Sequence, residues 1–246
     1  MNFIEKYKTV RKEKNSILCI GLDPMVKEDP VEFCMDIIEQ TSDYASAVKT
    51  NSQFILFSVD ARKLRKLNRR IHDEGIISIL DHKLSDITSS NIPALHSIRD
   101  AGFDALTFSP FAGNIRETVE NAHKDNLGLF VLTLMSNPEA VWIQKETRFR
   151  EKPLYLEIAR RAGLSRADGV VVGATVDVNE IRGVREVSGD STIFLCPGVG
   201  EQGGDFRKVI RTAGKNLLLN VGRAIINHRN PGKKAEEFWR LFNRFR

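Results

Sequence analysis

Eight short runs of aliphatic and β-branched residues recur along this chain, each separated from the next by a segment of helical periodicity. That recurrence restricts the fold more than any other feature. The runs are Ile17–Leu22, Ala45–Thr50, Ile76–Asp81, Ala105–Phe108, Leu129–Met135, Gly169–Val172, Thr192–Cys196 and Leu217–Val221. They are continuously apolar and do not alternate, the pattern of parallel strands covered on both faces. Between them, Cys34, Ile37 and Ile38 fall at i, i+3 and i+4, Leu64, Leu67 and Ile71 precede Gly75, and Leu95 and Ile98 precede Gly102. These spacings predict amphipathic helices closed by C-terminal glycines. Eight βα units in 246 residues leave about 31 residues per unit, the size of a sparsely decorated (β/α)8 barrel.

The expectation is therefore an α/β chain forming one TIM-barrel domain over residues 1–246. No Pro/Gly/Ser-rich linker, low-complexity segment or repeat divides it. The long connection from Asn137 to Leu154, charged and containing Trp142 and Phe149, is expected to carry a short helix of its own or to cover the barrel mouth. A doubly wound nucleotide-binding sheet is the architectural rival, and the lack of a GxGxxG after the first run counts against it.

Composition narrows the class. With 37 Lys+Arg against 32 Asp+Glu and 41% hydrophobic residues, the chain is neither disordered nor a disulfide scaffold. Three cysteines, Cys19, Cys34 and Cys196, form no CxxC pair, so reduced thiols and a cytoplasmic location are expected. The first fifteen residues are too charged for the apolar core of a signal peptide. The longest apolar run, Leu127 to Met135, is about half a membrane span, and no membrane association is expected. From Arg207 to Arg246 there are 11 basic residues and 2 acidic ones; this reads as a solvated basic face, with a few members available for a phosphate or nucleic acid.

Barrel enzymes carry their reactive groups at the C-terminal ends of the strands. Those places hold Asp23, then Lys49, then Asp81, Lys83 and Asp86, then Ser136, the Pro197–Asp205 segment, and Gly222–Arg223. Converging charges are tolerable only if paired. In an extended strand Asp81 and Lys83 share a face, and with Lys49 and Asp86 the signs alternate. Each contact is of order ~4 kcal/mol before desolvation at an effective dielectric of ~20. Four glycines within Gly198–Gly204 let backbone N–H groups approach an anion, and Arg223 beside Gly222 offers a bidentate clamp. His82 lies between Asp81 and Lys83, and strand parity turns it away from both. His72, His96, His123 and His228 are scattered over expected helices, without metal-ligand spacing.

In order, Gly21-Leu22-Asp23-Pro24, Val48-Lys49, Asp81-x-Lys83-x-x-Asp86-Ile87, Met135-Ser136, Pro197-Gly198-Val199-Gly200-x-Gln202-Gly203-Gly204-Asp205 and Val221-Gly222-Arg223 span Gly21 to Arg223. Together these motifs resemble the orotidine 5′-monophosphate decarboxylase family. The resemblance implies loss of CO2 from orotidine 5′-monophosphate to give UMP, the last step of UMP synthesis, with no metal or organic cofactor. It implies Lys83 as the ammonium beside C6 and proton donor, Asp81 near the departing carboxylate, and Lys49 orienting Asp81 and touching the ribose. Asp23 would bind a ribose hydroxyl, Ser136 the pyrimidine edge, and Gln202 would bridge base and phosphate. Pro197 and Val199 would line the site, while Gly222 and Arg223 would hold the phosphate. It further implies a homodimer, with Asp86 and Ser90 completing the neighbouring subunit's site. Ser90 stands where the family often has threonine, which keeps the hydroxyl. Glu201, within the glycine-rich loop, is expected to face solvent.

Two alternatives remain at this point. Mg²⁺-dependent sugar-phosphate enzymes of the same superfamily, hexulose-phosphate synthase and ketogulonate-phosphate decarboxylase, share the D-x-K-x-x-D motif; Gly21–Pro24, Lys49 and Gln202 favour the nucleotide enzyme. A basic nucleic-acid-binding protein would use the C-terminal charge, but only 8% of residues are aromatic and no binding motif accompanies it.

Overall fold

The apolar runs close into a barrel. A computed structural model describes residues 1–25, 28–55, 58–200 and 204–246. Its strands are β1 (Leu18–Leu22), β2 (Ala47–Asn51), β3 (Ile77–Leu84), β4 (Ala105–Phe108), β5 (Gly128–Leu134), β6 (Gly169–Val172), β7 (Ile193–Cys196) and β8 (Leu217–Val221). Each pairs in parallel with its sequence neighbours, and β1 pairs with β8 through Leu18↔Leu219, Cys19↔Asn220 and Ile20↔Val221. Helices α2 (Pro30–Thr41), α3 (Ala61–Asp73), α4 (Thr88–Asp100), α5 (Ile115–Lys124), α6 (Leu154–Leu164), α7 (Val178–Ser188) and α8 (Phe206–Ala213) follow β1 to β7 in turn. After β8 come a single turn, Arg223–Ile226, and α9 (Pro231–Phe245). This is the expected (β/α)8 barrel. Among the described residues, no helix is long and apolar enough to cross a membrane.

Period-two alternation sorts the strand residues into two cores. Cys19, Ala47, Ile77, Ile79, Ala105, Phe130, Val171, Ile193, Leu195 and Leu218 form an inner cluster. Leu18, Ile20, Val48, Leu80, Leu106, Leu129, Val131, Val170 and Leu219 pack outward with the helices. The N-terminal charged stretch forms an amphipathic helix, α1 (Phe3–Glu13), begun by a capping box between Asn2 and Glu5. Its Phe3, Tyr7 and Val10 join the inner cluster and close the N-terminal end of the barrel. The Tyr7 hydroxyl accepts from the Leu217 N–H at 2.9 Å, and Phe3 meets Phe130 edge-on at 5.7 Å.

Two aspartates just before strands tie the same end together. Asp104, preceding β4, accepts the Ser78 N–H at 2.9 Å and pairs with Lys6 and His72. Asp168, preceding β6, accepts the Leu129 N–H at 2.9 Å and lies 2.9 Å from His123. His228, expected on a helix, sits instead in the bend between Arg223–Ile226 and α9; the Asn230 cap and Pro231 start the helix two residues later.

The long connection does carry helical structure: a 3₁₀ turn (Pro138–Ala140), a five-residue π-helical turn (Trp142–Glu146) and an antiparallel hairpin joining Arg148–Phe149 to Lys152–Pro153. Gln144 anchors it to the rim, its Oε1 accepting the Met135 N–H at 2.8 Å.

Candidate active site

The upper ends of β2 and β3 place two lysines on one carboxylate. Lys49 Nζ lies 2.5 Å from Asp81 Oδ2, and Lys83 Nζ lies 2.7 Å from Asp81 Oδ1. Lys49 points inward because Ala47, two residues earlier, does the same. Burial disfavours charge on both members of the Lys49–Asp81 pair. Their mutual attraction outweighs it, lifting the Lys49 ammonium above its ordinary value; Asp81, attracted by Lys83 as well, is held far below the carboxylate range. Both groups are thus ionised at neutral pH.

Asp81 and Lys83 meet by a route that strand alternation does not describe. The β3–β4 register runs Leu80↔Leu106 and then Leu84↔Phe108, so four steps on β3 oppose two on β4. Lys83 carries the bulge at φ 55°, a left-handed conformation that a lysine seldom adopts. Its N–H donates to Thr107 Oγ1 at 2.9 Å, and the Thr107 hydroxyl donates to Asp81 Oδ1 at 2.9 Å. His82 turns the other way, its Nδ1 3.2 Å from Ser52 Oγ.

Around this triad is a cavity of about 150 Å³, lined by Lys49, Asp81, Lys83, Thr107, Leu132, Met135, Ser136, Val171, Leu195 and Pro197. Lys49, Asp81 and Pro197 also border a second cavity, of about 200 Å³, lined further by Asp23, Asn51, Gly198, Val199, Asn220, Gly222 and Arg223. One half is apolar apart from the charged triad, Thr107 and Ser136; the other is polar. Glycine is required where the loops converge. A Cβ on Gly173 would stand 2.7 Å from Ser136 Cβ, and one on Gly204 would stand 2.8 Å from the Gly198 carbonyl oxygen. Gly198 itself has φ 94°.

Nine predicted residues, Asp23, Lys49, Asp81, Lys83, Ser136, Pro197, Val199, Gly222 and Arg223, therefore line one cleft. Asp86 and Ser90 do not: both are exposed on the turn after β3 and the start of α4. The Asp86 backbone oxygen there accepts from Asn91 and Asn114. Within the chain the charge array is thus Lys49–Asp81–Lys83, without its expected fourth member. Gln202 and Glu201 lie outside the described residues. Sequence reasoning missed Thr107, Asn51 and Asn220. The last two follow the inward parity of Lys49 and Leu218, a signal available in the strand pattern. Asp23 Oδ1 and Asn220 Oδ1 are buried without a hydrogen-bond partner among the described residues, on two residues that line the polar cleft. Among the described residues no three His, Cys, Asp or Glu side chains group as a metal-ligand set.

An ammonium fixed beside a carboxylate in a small apolar cavity can stabilise negative charge developing on a bound ring and can deliver a proton to it. The adjoining polar cleft, ending at Gly222 and Arg223, suits an anionic group at a distance from the reacting atom.

Comparison with known proteins gives a consistent result. Residues 16–238 match the model of the orotidine 5′-phosphate decarboxylase/HUMPS family. The chain is 35% identical to the orotidine 5′-phosphate decarboxylase of Leptospira interrogans, with 92% of this chain and 87% of that protein covered. It is 34% identical to the Cupriavidus necator enzyme of the same name, over 92% and 89%. The structure of Leishmania donovani OMP decarboxylase superposes with a TM-score of 0.88 at 28% identity, covering 100% of this chain and 98% of that one.

Proposed function

Because the chain belongs to the orotidine 5′-phosphate decarboxylase/HUMPS family, we propose that it converts orotidine 5′-monophosphate to UMP and CO2 in pyrimidine biosynthesis. The observation that carries this reading is one carboxylate held between two ammonium groups at the barrel mouth. The C6–carboxylate bond breaks, CO2 leaves, and the electron pair stays on C6 in an orbital that the ring π-system cannot delocalise. The Lys83 ammonium stabilises that pair and transfers its proton to C6; solvent then reprotonates the amine. Asp81 faces the departing carboxylate and fixes Lys83, while Lys49 keeps Asp81 ionised and in place.

The remaining roles follow the cleft. Ser136 hydrogen-bonds the pyrimidine edge, Pro197 and Val199 form walls, and Asp23 and Lys49 hold the ribose. Gly222 and Arg223 hold the phosphate, with Gln202 bridging phosphate and base. Binding energy from the remote phosphate is then available to the chemical step. Asp86 and Ser90 serve the neighbouring subunit of a homodimer. Supporting this, Ile87 beside Asp86 and Phe111 on the next loop are 61% and 83% exposed, and Asn114 links the two loops through the Asp86 carbonyl.

The test follows the ultraviolet absorbance of orotidine 5′-monophosphate with purified protein in EDTA, beside Lys83→Ala. Turnover without metal that collapses in the variant is the expected result. No turnover in EDTA, with activity on a hexulose or ketogulonate phosphate once Mg²⁺ is restored, would transfer the chain to the sugar-phosphate branch. For the shared site, inactive Lys83→Ala and Asp86→Ala proteins are mixed. Recovery of part of the activity is expected if one intact site forms in each mixed dimer, and no recovery rejects the shared arrangement.

A further inference from the structure

We propose that Thr107 is a positioning residue for the decarboxylation, its hydroxyl setting the Lys83 backbone and the Asp81 carboxylate in one fixed relation. The proposal rests on the functional reading above and adds a residue outside the charged motifs. Thr107 is 1% exposed, on the inner face of β4 two residues beyond Ala105.

The direction of its hydrogen bonds is determined by its partners. An ionised carboxylate only accepts, so the Thr107 hydroxyl proton must point to Asp81 Oδ1, 2.9 Å away. An amide N–H only donates, so a lone pair of the same oxygen takes the Lys83 N–H, also at 2.9 Å. One atom therefore holds both ends of the Asp81–Lys83 segment from the neighbouring strand. It does so where the segment most needs holding, at the β3 bulge with Lys83 in the left-handed region. Without that acceptor the Lys83 N–H would be stranded at the edge of an apolar cavity, and the bulge would lose the contact that opposes its relaxation. Because the ammonium must meet one ring carbon, a displacement of the segment acts on the chemical step. Of the three residues involved, Thr107 and Lys83 lie outside the lining of the polar half of the cleft, where the phosphate and ribose bind, and Asp81 stands at its border with the apolar half.

The experiment compares wild type, Thr107→Val and Thr107→Ser as full-length proteins. Valine keeps the shape and removes the hydroxyl; serine keeps the hydroxyl. In Thr107→Val, kcat for orotidine 5′-monophosphate should fall on the order of 10–100-fold with KM within about threefold, and Thr107→Ser should stay within about threefold of wild type in both. Should Thr107→Val fail to accumulate, Thr107→Ala carries the same comparison. A second readout needs no substrate: amide hydrogen exchange at Lys83 should accelerate in the valine variant and return to the wild-type rate in serine. Wild-type kcat in Thr107→Val, a loss confined to KM, or an equal loss in serine would overturn the proposal. Unchanged exchange at Lys83 would also overturn it. If wild type itself fails to turn over, the functional reading fails first, while the exchange rates still decide whether the hydroxyl holds Lys83.

Discussion

Lys49 and Asp81 meet across adjacent strands two residues out of register, Lys49 lying opposite Ile79 and Asp81 opposite Asn51, with Nζ and Oδ2 2.5 Å apart and only 7% and 12% of the two side chains exposed. Each neutralises a charge that the other could not leave buried alone, so the pair couples the reaction chemistry to the stability of the barrel.

Asp81→Asn should therefore abolish turnover and also destabilise the protein, by about 3–5 kcal/mol, because Lys49 keeps its charge in a site without a counterion. The pH dependence has a definite sign. Asp81 is held below its unfolded value despite burial, through Lys49 and Lys83. Its contribution is present above the unfolded carboxylate value of about 3.9 and is lost as pH falls toward the folded value. Urea titrations of wild type and variant should differ by a constant amount from pH 5 to 8, and the gap should begin to close only below about pH 4. A gap that instead widens in acid would mean that Asp81 is not ionised in the folded protein.

Gly173 faces Ser136 across β6 and the end of β5, with no room for a methyl group: an added Cβ would be 2.7 Å from Ser136 Cβ and 2.9 Å from its backbone nitrogen. Gly173→Ala must push Ser136 away from the ring site. A loss of kcat/KM on the order of 10–100-fold is expected, and unchanged steady-state constants would remove Ser136 from the base-binding set.

At the opposite end, hydrogen bonding to Asp168 raises His123 above the ordinary histidine value, against an opposing effect of partial burial. A raised folded value contributes stability that is complete below the unfolded value of about 6.5 and disappears as pH rises through the folded one. Melting temperatures of wild type and His123→Gln should be furthest apart near pH 6 and draw together by pH 8.5. The imidazole is 42% exposed on its side chain, so salt should shrink the difference. A difference independent of pH would show that only the neutral hydrogen bond matters.

Phe3 seals the barrel floor, 4% exposed and edge-on to Phe130. Phe3→Ala should cost about 3–5 kcal/mol in urea unfolding while kcat and KM keep their wild-type values, since no part of Phe3 reaches the cleft. Changed kinetics in a fully folded Phe3→Ala sample would refute this division between floor and mouth.

The barrel was legible because its strands are short, uninterrupted and apolar. Ala105–Phe108, Gly169–Val172 and Leu217–Val221 occupy the bounds expected from the sequence, and the ends of the others differ by one or two residues, except β3, which runs on through the motif to Leu84. The charged motifs likewise pointed to the mouth. What the linear pattern hid depends on relations between strands. Thr107 is a lone hydroxyl in an apolar run, and its contacts exist only because β3 bulges against β4. The inward stripe of α1, Phe3, Tyr7 and Val10, is masked by the lysines, glutamates and Arg11 around it. The Arg148–Phe149 hairpin has two-residue strands, too short for a periodicity to register.

The seam between β1 and β8 joins the first and last barrel strands to be synthesised. A ribosome adding about 5–20 residues per second makes Lys49 and Asp81 well before Val221, so the nascent chain carries its reactive strands for on the order of 10 s or more with no closed wall around them. Only release of the final quarter of the chain lets the circle shut. C-terminally truncated chains that lack β8 leave that seam open and are expected not to accumulate in soluble form.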